Sequence, residues 1–245
     1  MPGTLGRLAR LAKMRHLPFF FALGLLAGIL PASEPVQRAS AVVRVHVFQA
    51  ACSQAQRSAV EKAIAQADEL LRQSCALTLT LTAWTQLPLQ DWCHLPTGQA
   101  ESRAALKQLA ARAKADAPAE LAFFLLPSSA DERLSWALVD VSRHSACDSP
   151  QESRYLKDFG TAFFTDLAFL AAEADLARLP SEPALLVAHE AIHALSNRGH
   201  PTHAGRGELM ADHLADIGPR IPQDWCACAR RSPYAARSAF PRKAP

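Results

Sequence analysis

No Gly-x-Gly-x-x-Gly run follows the first expected strand of this 245-residue chain, which argues against a dinucleotide-binding domain. Six cysteines are present but none form a Cys-x-x-Cys pair, which argues against a cysteine-rich zinc site. There is no internal repeat and no long low-complexity segment, so one domain with one sizeable core is expected. Basic patches are also missing. Arg7, Arg10, Lys13 and Arg15 lie in the first 32 residues, where no acid occurs. The remainder holds 22 Lys+Arg against 23 Asp+Glu, a formal net charge of −1, so the whole-chain value of +3 comes from the N-terminus. Nucleic acid is therefore not an expected partner. Arg230, Arg231, Arg237, Arg242 and Lys243 lie among prolines without interleaved aromatics and read as a frayed end.

What stands at the N-terminus is an export pattern. The four basic residues precede an apolar run of fourteen residues, Leu17 to Leu30, and then the small residues Pro31-Ala32-Ser33. Residues 1–32 are expected to be a signal peptide. The apolar run is short of the roughly twenty residues that span a bilayer, so no stable membrane insertion is expected after cleavage. Ala39-Ser40-Ala41 is a second, more distant candidate for cleavage. A periplasmic or secreted protein is the expectation. All six cysteines, Cys52, Cys75, Cys93, Cys147, Cys226 and Cys228, lie beyond the leader, and an even count there suggests up to three disulfides. Cys52 and Cys75 flank an expected helix that would hold them about 30 Å apart, and Cys226 and Cys228 are too close in sequence to bridge without strain.

The remaining chain, 41–245, reads as alternating strands and helices. Ala41 to Phe48 alternates as a strand, and Ser53 to Ser74 has Val60, Ile64, Ala67 and Leu71 at helical spacing. Leu77 to Thr82 alternates strictly, and a loop is expected from Trp84 to Gly98. Glu101 to Asp116 follows as a helix, then Leu121 to Leu126 as a central strand, and Leu134 to Val141 as a strand near an edge. Arg143 to Asp158 is loop-like, Thr161 to Thr165 a last strand, and Leu167 to Leu179 helical. The class is α/β, with a twisted, mostly parallel sheet, an antiparallel edge strand and helices packed against it. A small irregular subdomain is expected from 198 to 245.

The chemistry concentrates at His189-Glu190-Ala191-Ile192-His193, on an expected helix from Glu182 to Asn197. Ser181 is a candidate N-cap, and Pro183 is tolerated in the first turn. Residues i and i+4 share a helix face, so the two imidazoles converge as a tetrahedral zinc ion requires. Glu190, one position on, stands beside the metal and can take a proton from its water. Asn197 and Gly199 can end the helix in a left-handed turn and bring His200 over the same point.

These residues resemble the metzincin zinc peptidases, whose pattern is His-Glu-x-x-His-x-x-Gly-x-x-His followed by a methionine turn. His189, Glu190, His193, His200 and Met210 stand in the matching roles, and Leu209-Met210 is similar to the Leu-Met turn of small secreted bacterial members. Ser196 replaces the family glycine, and His200 falls one residue late. The resemblance implies a zincin-like catalytic domain, upper to about residue 197 and lower beyond, that hydrolyses peptide or protein substrates with zinc. It also implies an extended substrate along the edge strand, with Ser135-Trp136-Ala137-Leu138 nearest the site. His203 is a rival third ligand. Glu208 is another, since Glu208 to Asp212 also resembles the Glu-x-x-Ala-Asp helix of gluzincin peptidases. Asp212 and His213 read as solvated or capping residues. Tyr234 reads as packing rather than as a donor to an oxyanion. A catalytically inactive, zinc-stabilised secreted binding protein is the remaining alternative.

Overall fold

A computed structural model describes residues 40–88, 93, 99–115, 117–127, 135–137, 147, 160–170, 182–200, 206–211 and 216–237. The expected leader, Ser181, His203, Asp212, His213, most of the 143–158 loop and the last part of the expected 167–179 helix lie outside these residues.

Four parallel strands make the centre of the sheet. They are β1 (Ala41–Ala50), β2 (Leu77–Leu87), β3 (Leu121–Leu126) and β5 (Thr161–Thr165), in the spatial order β2-β1-β3-β5. β4 (Ser135–Ala137) closes the β5 side and runs antiparallel to it, as expected of an edge strand. The continuous apolar run of β3 is buried on both faces, as central parallel strands are.

β1 is flanked by α1 (Arg57–Cys75), which buries the expected stripe of Val60, Ile64, Ala67 and Leu71. α1 starts four residues later than periodicity indicates. The Ser53 hydroxyl and the Ala55 N–H both donate to Asp166 Oδ1, at 2.5 and 3.1 Å, and this tethers the preceding segment outside the helix. Ala76, left-handed at φ 50°, ends α1 and turns the chain into β2. β2 continues to Leu87, through the first part of the expected loop. A register shift lies where Val45 faces Leu81 and His46 faces Ala83, so Thr82 is the extra residue and its hydroxyl donates to the Val45 carbonyl. Such a bulge breaks the period-2 alternation and hides the continuation from the sequence pattern.

The two sheet faces carry separate cores. On one, Val43, Val45, Val47, Leu121, Phe123, Leu125 and Phe164 pack under α1 and under α4 (Pro183–Ser196). On the other, Phe48, Phe124 and Phe163 stack in series at 4.9 and 5.2 Å beneath Leu106 and Ala110 of α2 (Gln99–Lys114). A single short turn, α3 (Leu167–Leu170), follows β5. No helix among the described residues is long and apolar enough to cross a membrane.

Up to Arg237 the C-terminal segment folds back onto the body instead of fraying; Arg242 and Lys243 lie outside the described residues. α5 (Gln223–Ala229) places Trp225, Cys226 and Ala229 in the α4 side of the core, and β6 (Ala235–Arg237) pairs antiparallel with Ala41–Val43 of β1. Arg230 donates to the Cys75 carbonyl at 2.6 Å and Arg231 to that of Cys147 at 3.2 Å. Tyr234 is a packing residue. Its ring fills the space where a side chain at Gly160 would sit, and its hydroxyl accepts from Lys114 Nζ at 2.9 Å.

Three disulfides fasten this arrangement: Cys52–Cys93, Cys75–Cys226 and Cys147–Cys228. Neither disfavoured pairing occurs. Cys75–Cys226 closes the longest loop, 151 residues, between the end of α1 and α5. Chain entropy then assigns it about 3–5 kcal/mol. Replacing both cysteines by serine is expected to lower unfolding stability by that amount in denaturant melts; a loss below about 1 kcal/mol would show that α5 is held by packing alone.

Candidate metal centre

α4 carries the His-Glu-x-x-His run and is buried on nearly every side, from Ala184 to Ser196 with only Leu185 partly exposed. An apolar helix of this kind belongs in a core, so its three polar side chains need partners. Its N-cap is Glu182, with no side-chain cap, and Pro183 opens the first turn. Its C-cap is Asn197, left-handed at φ 51°, whose N–H donates to the His193 carbonyl at 2.8 Å. The last turn is also tied to the sheet, because the Gly160 N–H donates to the Ala194 carbonyl.

The i, i+4 spacing brings the rings of His189 and His193 to 4.5 Å, with their Nε2 atoms 3.1 Å apart. After Asn197 the chain doubles back and sets His200 Nε2 3.1 Å from His189 Nε2. His189, His193 and His200 form a group that could hold a metal ion, all ligand atoms within 4.8 Å of one another. A metal about 2.0–2.1 Å from two nitrogens at a tetrahedral angle sets them roughly 3.3 Å apart, so the spacing fits.

The opposite edges of two rings fix the tautomers. His189 Nδ1 lies 2.5 Å from the Leu209 carbonyl oxygen, and His193 Nδ1 lies 2.5 Å from that of Arg198. A carbonyl cannot donate, so both Nδ1 atoms carry the hydrogen and both Nε2 atoms present lone pairs. Two lone pairs at 3.1 Å repel unless a cation stands between them. A proton is a poor candidate, since burial, and then the neighbouring His189, hold the His193 pKa well below the usual histidine value. The donor set therefore suits a metal cation.

The carbonyls are themselves positioned. Leu209 donates its N–H to the Arg220 carbonyl at 2.7 Å, and Gly207, at φ 78°, donates to that of Asp216. Gly207 and Gly218 approach so closely that a Cβ on Gly218 would lie 2.6 Å from the Gly207 backbone. Met210 follows, fully buried. Behind His193 stands Trp225, edge-on at 5.8 Å, capped by the Arg198 guanidinium at 4.4 Å, which pairs with Asp224 at 3.0 Å.

Of the rival ligands, Glu208 directs a carboxylate oxygen to Arg220 at 3.3 Å and stands outside the histidine group. Glu190 is buried beside that group, and its Oε1 accepts from the Ser135 hydroxyl of β4 at 2.9 Å. Ser196, in the position of the family glycine, is buried and its hydroxyl has no partner among the described residues. Sequence reasoning missed the two carbonyls, which have no residue signature, and Trp225 with Asp224, whose link to His193 depends on the path of α5.

No family model and no curated protein matches this chain. Among solved structures, the crystal structure of metalloproteinase-II from Bacteroides fragilis is similar with a TM-score of 0.45 and 11% identity, over 79% of this chain and 54% of that one. The chain thus spans about half the length of that structure. Nothing about the site follows from a likeness this distant.

Asn197 tests how the His193 carbonyl partner is presented. Asn197→Gly is expected to cost less stability than Asn197→Val, by about 1–2 kcal/mol, because a β-branched residue resists a left-handed backbone. Equal denaturation midpoints for the two variants would contradict this role.

Proposed function

We propose that this chain is an exported, zinc-dependent endopeptidase of metzincin type. The observation that carries the reading is the convergence of three imidazoles, two with their Nδ1–H groups committed to carbonyls, beside a buried glutamate. His189, His193 and His200 would hold the metal and leave a position for water. Zinc, when bound, polarises the scissile carbonyl and makes its water a nucleophile near neutral pH. Glu190 takes up the proton released in the attack and gives it to the departing amine nitrogen. Met210 is the methionine of the turn that presents the Leu209 carbonyl to His189.

The edge strand β4 is the proposed substrate rest. A peptide added there as a strand gains affinity from its backbone and selectivity from side-chain pockets. The disulfides, together with the leader pattern, support export to the periplasm or the medium. The gluzincin alternative is less well supported because Glu208 is committed to Arg220. A zinc-stabilised binding protein needs no proton acceptor beside the imidazoles.

Metal analysis of alanine variants tests the shell. His189→Ala, His193→Ala and His200→Ala are each expected to lose zinc, while Glu208→Ala keeps it; the reverse for His200 and Glu208 would establish the gluzincin reading. Glu190→Gln should retain zinc and lose about 10²–10⁴-fold in kcat, the range of general-base contributions. A zinc-loaded wild-type protein that cleaves nothing in a broad peptide library would leave the binding-protein reading standing.

Strand addition has its own signature. Methylating the backbone amides of a good substrate should raise KM about tenfold for each hydrogen bond lost, with little change in kcat. Unchanged KM for every methylated position would place the substrate elsewhere.

A further inference from the structure

Ser135 is buried on β4, where its backbone pairs with Phe164 of the fully buried β5. Its hydroxyl lies 2.9 Å from Glu190 Oε1. The serine hydroxyl is the donor of this bond. We propose that Ser135 is a positioning residue that holds the Glu190 carboxylate in one orientation beside the imidazoles. The inference rests on the endopeptidase reading.

Rotation of the carboxylate would break the serine contact. A hydrogen bond to a charged group biases such an orientation by roughly ten- to a hundredfold. The placement on β4 adds a second consequence. The strand proposed to align the peptide also aligns the base, so one rigid element sets both the scissile bond and the proton acceptor. A serine on a loop would tie neither to the other.

The test compares wild type with Ser135→Ala, Ser135→Thr and Ser135→Val in the full exported chain. Threonine and valine match in shape, so only the hydroxyl distinguishes them. Alanine and valine variants are expected to lose ten- to a hundredfold in kcat, with KM and zinc content within about twofold of wild type; threonine restores most of the rate. A second readout needs no turnover. The infrared difference between wild type and Glu190→Gln isolates the Glu190 carboxylate stretch in metal-free protein. That band should shift in the alanine and valine variants and return with threonine. Equal kcat for the threonine and valine variants, a loss that appears in KM alone, or an unmoved carboxylate band would overturn the proposal. A wild-type protein without peptidase activity would instead overturn the endopeptidase reading, and the infrared band would still decide whether Ser135 orients Glu190.

Discussion

Imidazole nitrogens that point bare lone pairs at one another repel, and most of the local structure around α4 serves to hold them that way. The repulsion persists because each of the two α4 histidines has its other nitrogen committed to a carbonyl, Leu209 for His189 and Arg198 for His193. Each carbonyl imposes a further requirement. That of Arg198 can reach back only if the helix stops one residue earlier in a left-handed turn, which Asn197 supplies. That of Leu209 depends on a strand-like segment zipped to Arg220 and on two glycines packed backbone to backbone. Ligand geometry is thus built from backbone, and side chains that never approach the centre determine it.

The same constraint explains why the C-terminal segment is fastened so heavily. α5 carries the Trp225 that backs His193 and the Asp224 that pairs with Arg198. Two disulfides leave this seven-residue helix, one to the end of α1 and one to Cys147. A helix this short has little stability of its own. Covalent ties and the β6 ladder with β1 supply what its length cannot.

Periodicity was enough for the elements buried symmetrically. β3 and β5 have the bounds expected of them, because an apolar run between turn signals has few other solutions. The α4 helix was equally legible, since two histidines four apart make sense together only on a helix. β2 was legible only up to Thr82, where the bulge shifts the phase of the alternation. The tail looked unstructured because its order comes from partners distant in sequence: Cys75, Cys147 and the first residues of β1. At the site, sequence gave His200 two rivals. Glu208 is the less well supported of the two described candidates, because Arg220, twelve residues on, pairs with it. Ser135 could be placed near the site as part of an edge strand, but its bond to Glu190 crosses 55 residues and has no local signal.

Metal binding and folding are coupled in such an arrangement. Without a cation, the body must hold the Nε2 atoms of His189 and His193 together against their mutual repulsion, at a cost borne by the packing of α4. With a cation, these atoms and that of His200 become a cross-link between α4 and the chain after Asn197. The burden of the empty state therefore falls on contacts that do not depend on metal: the Gly160 bond to Ala194, the Ser135 bond to Glu190 and the disulfides on either side of α5. The two hydrogen bonds reach α4 from the sheet, and the two disulfides hold α5 against the body. A site supported in this way has its shape set by metal-independent contacts, so an ion bound there would spend little on reorganisation and add chiefly affinity.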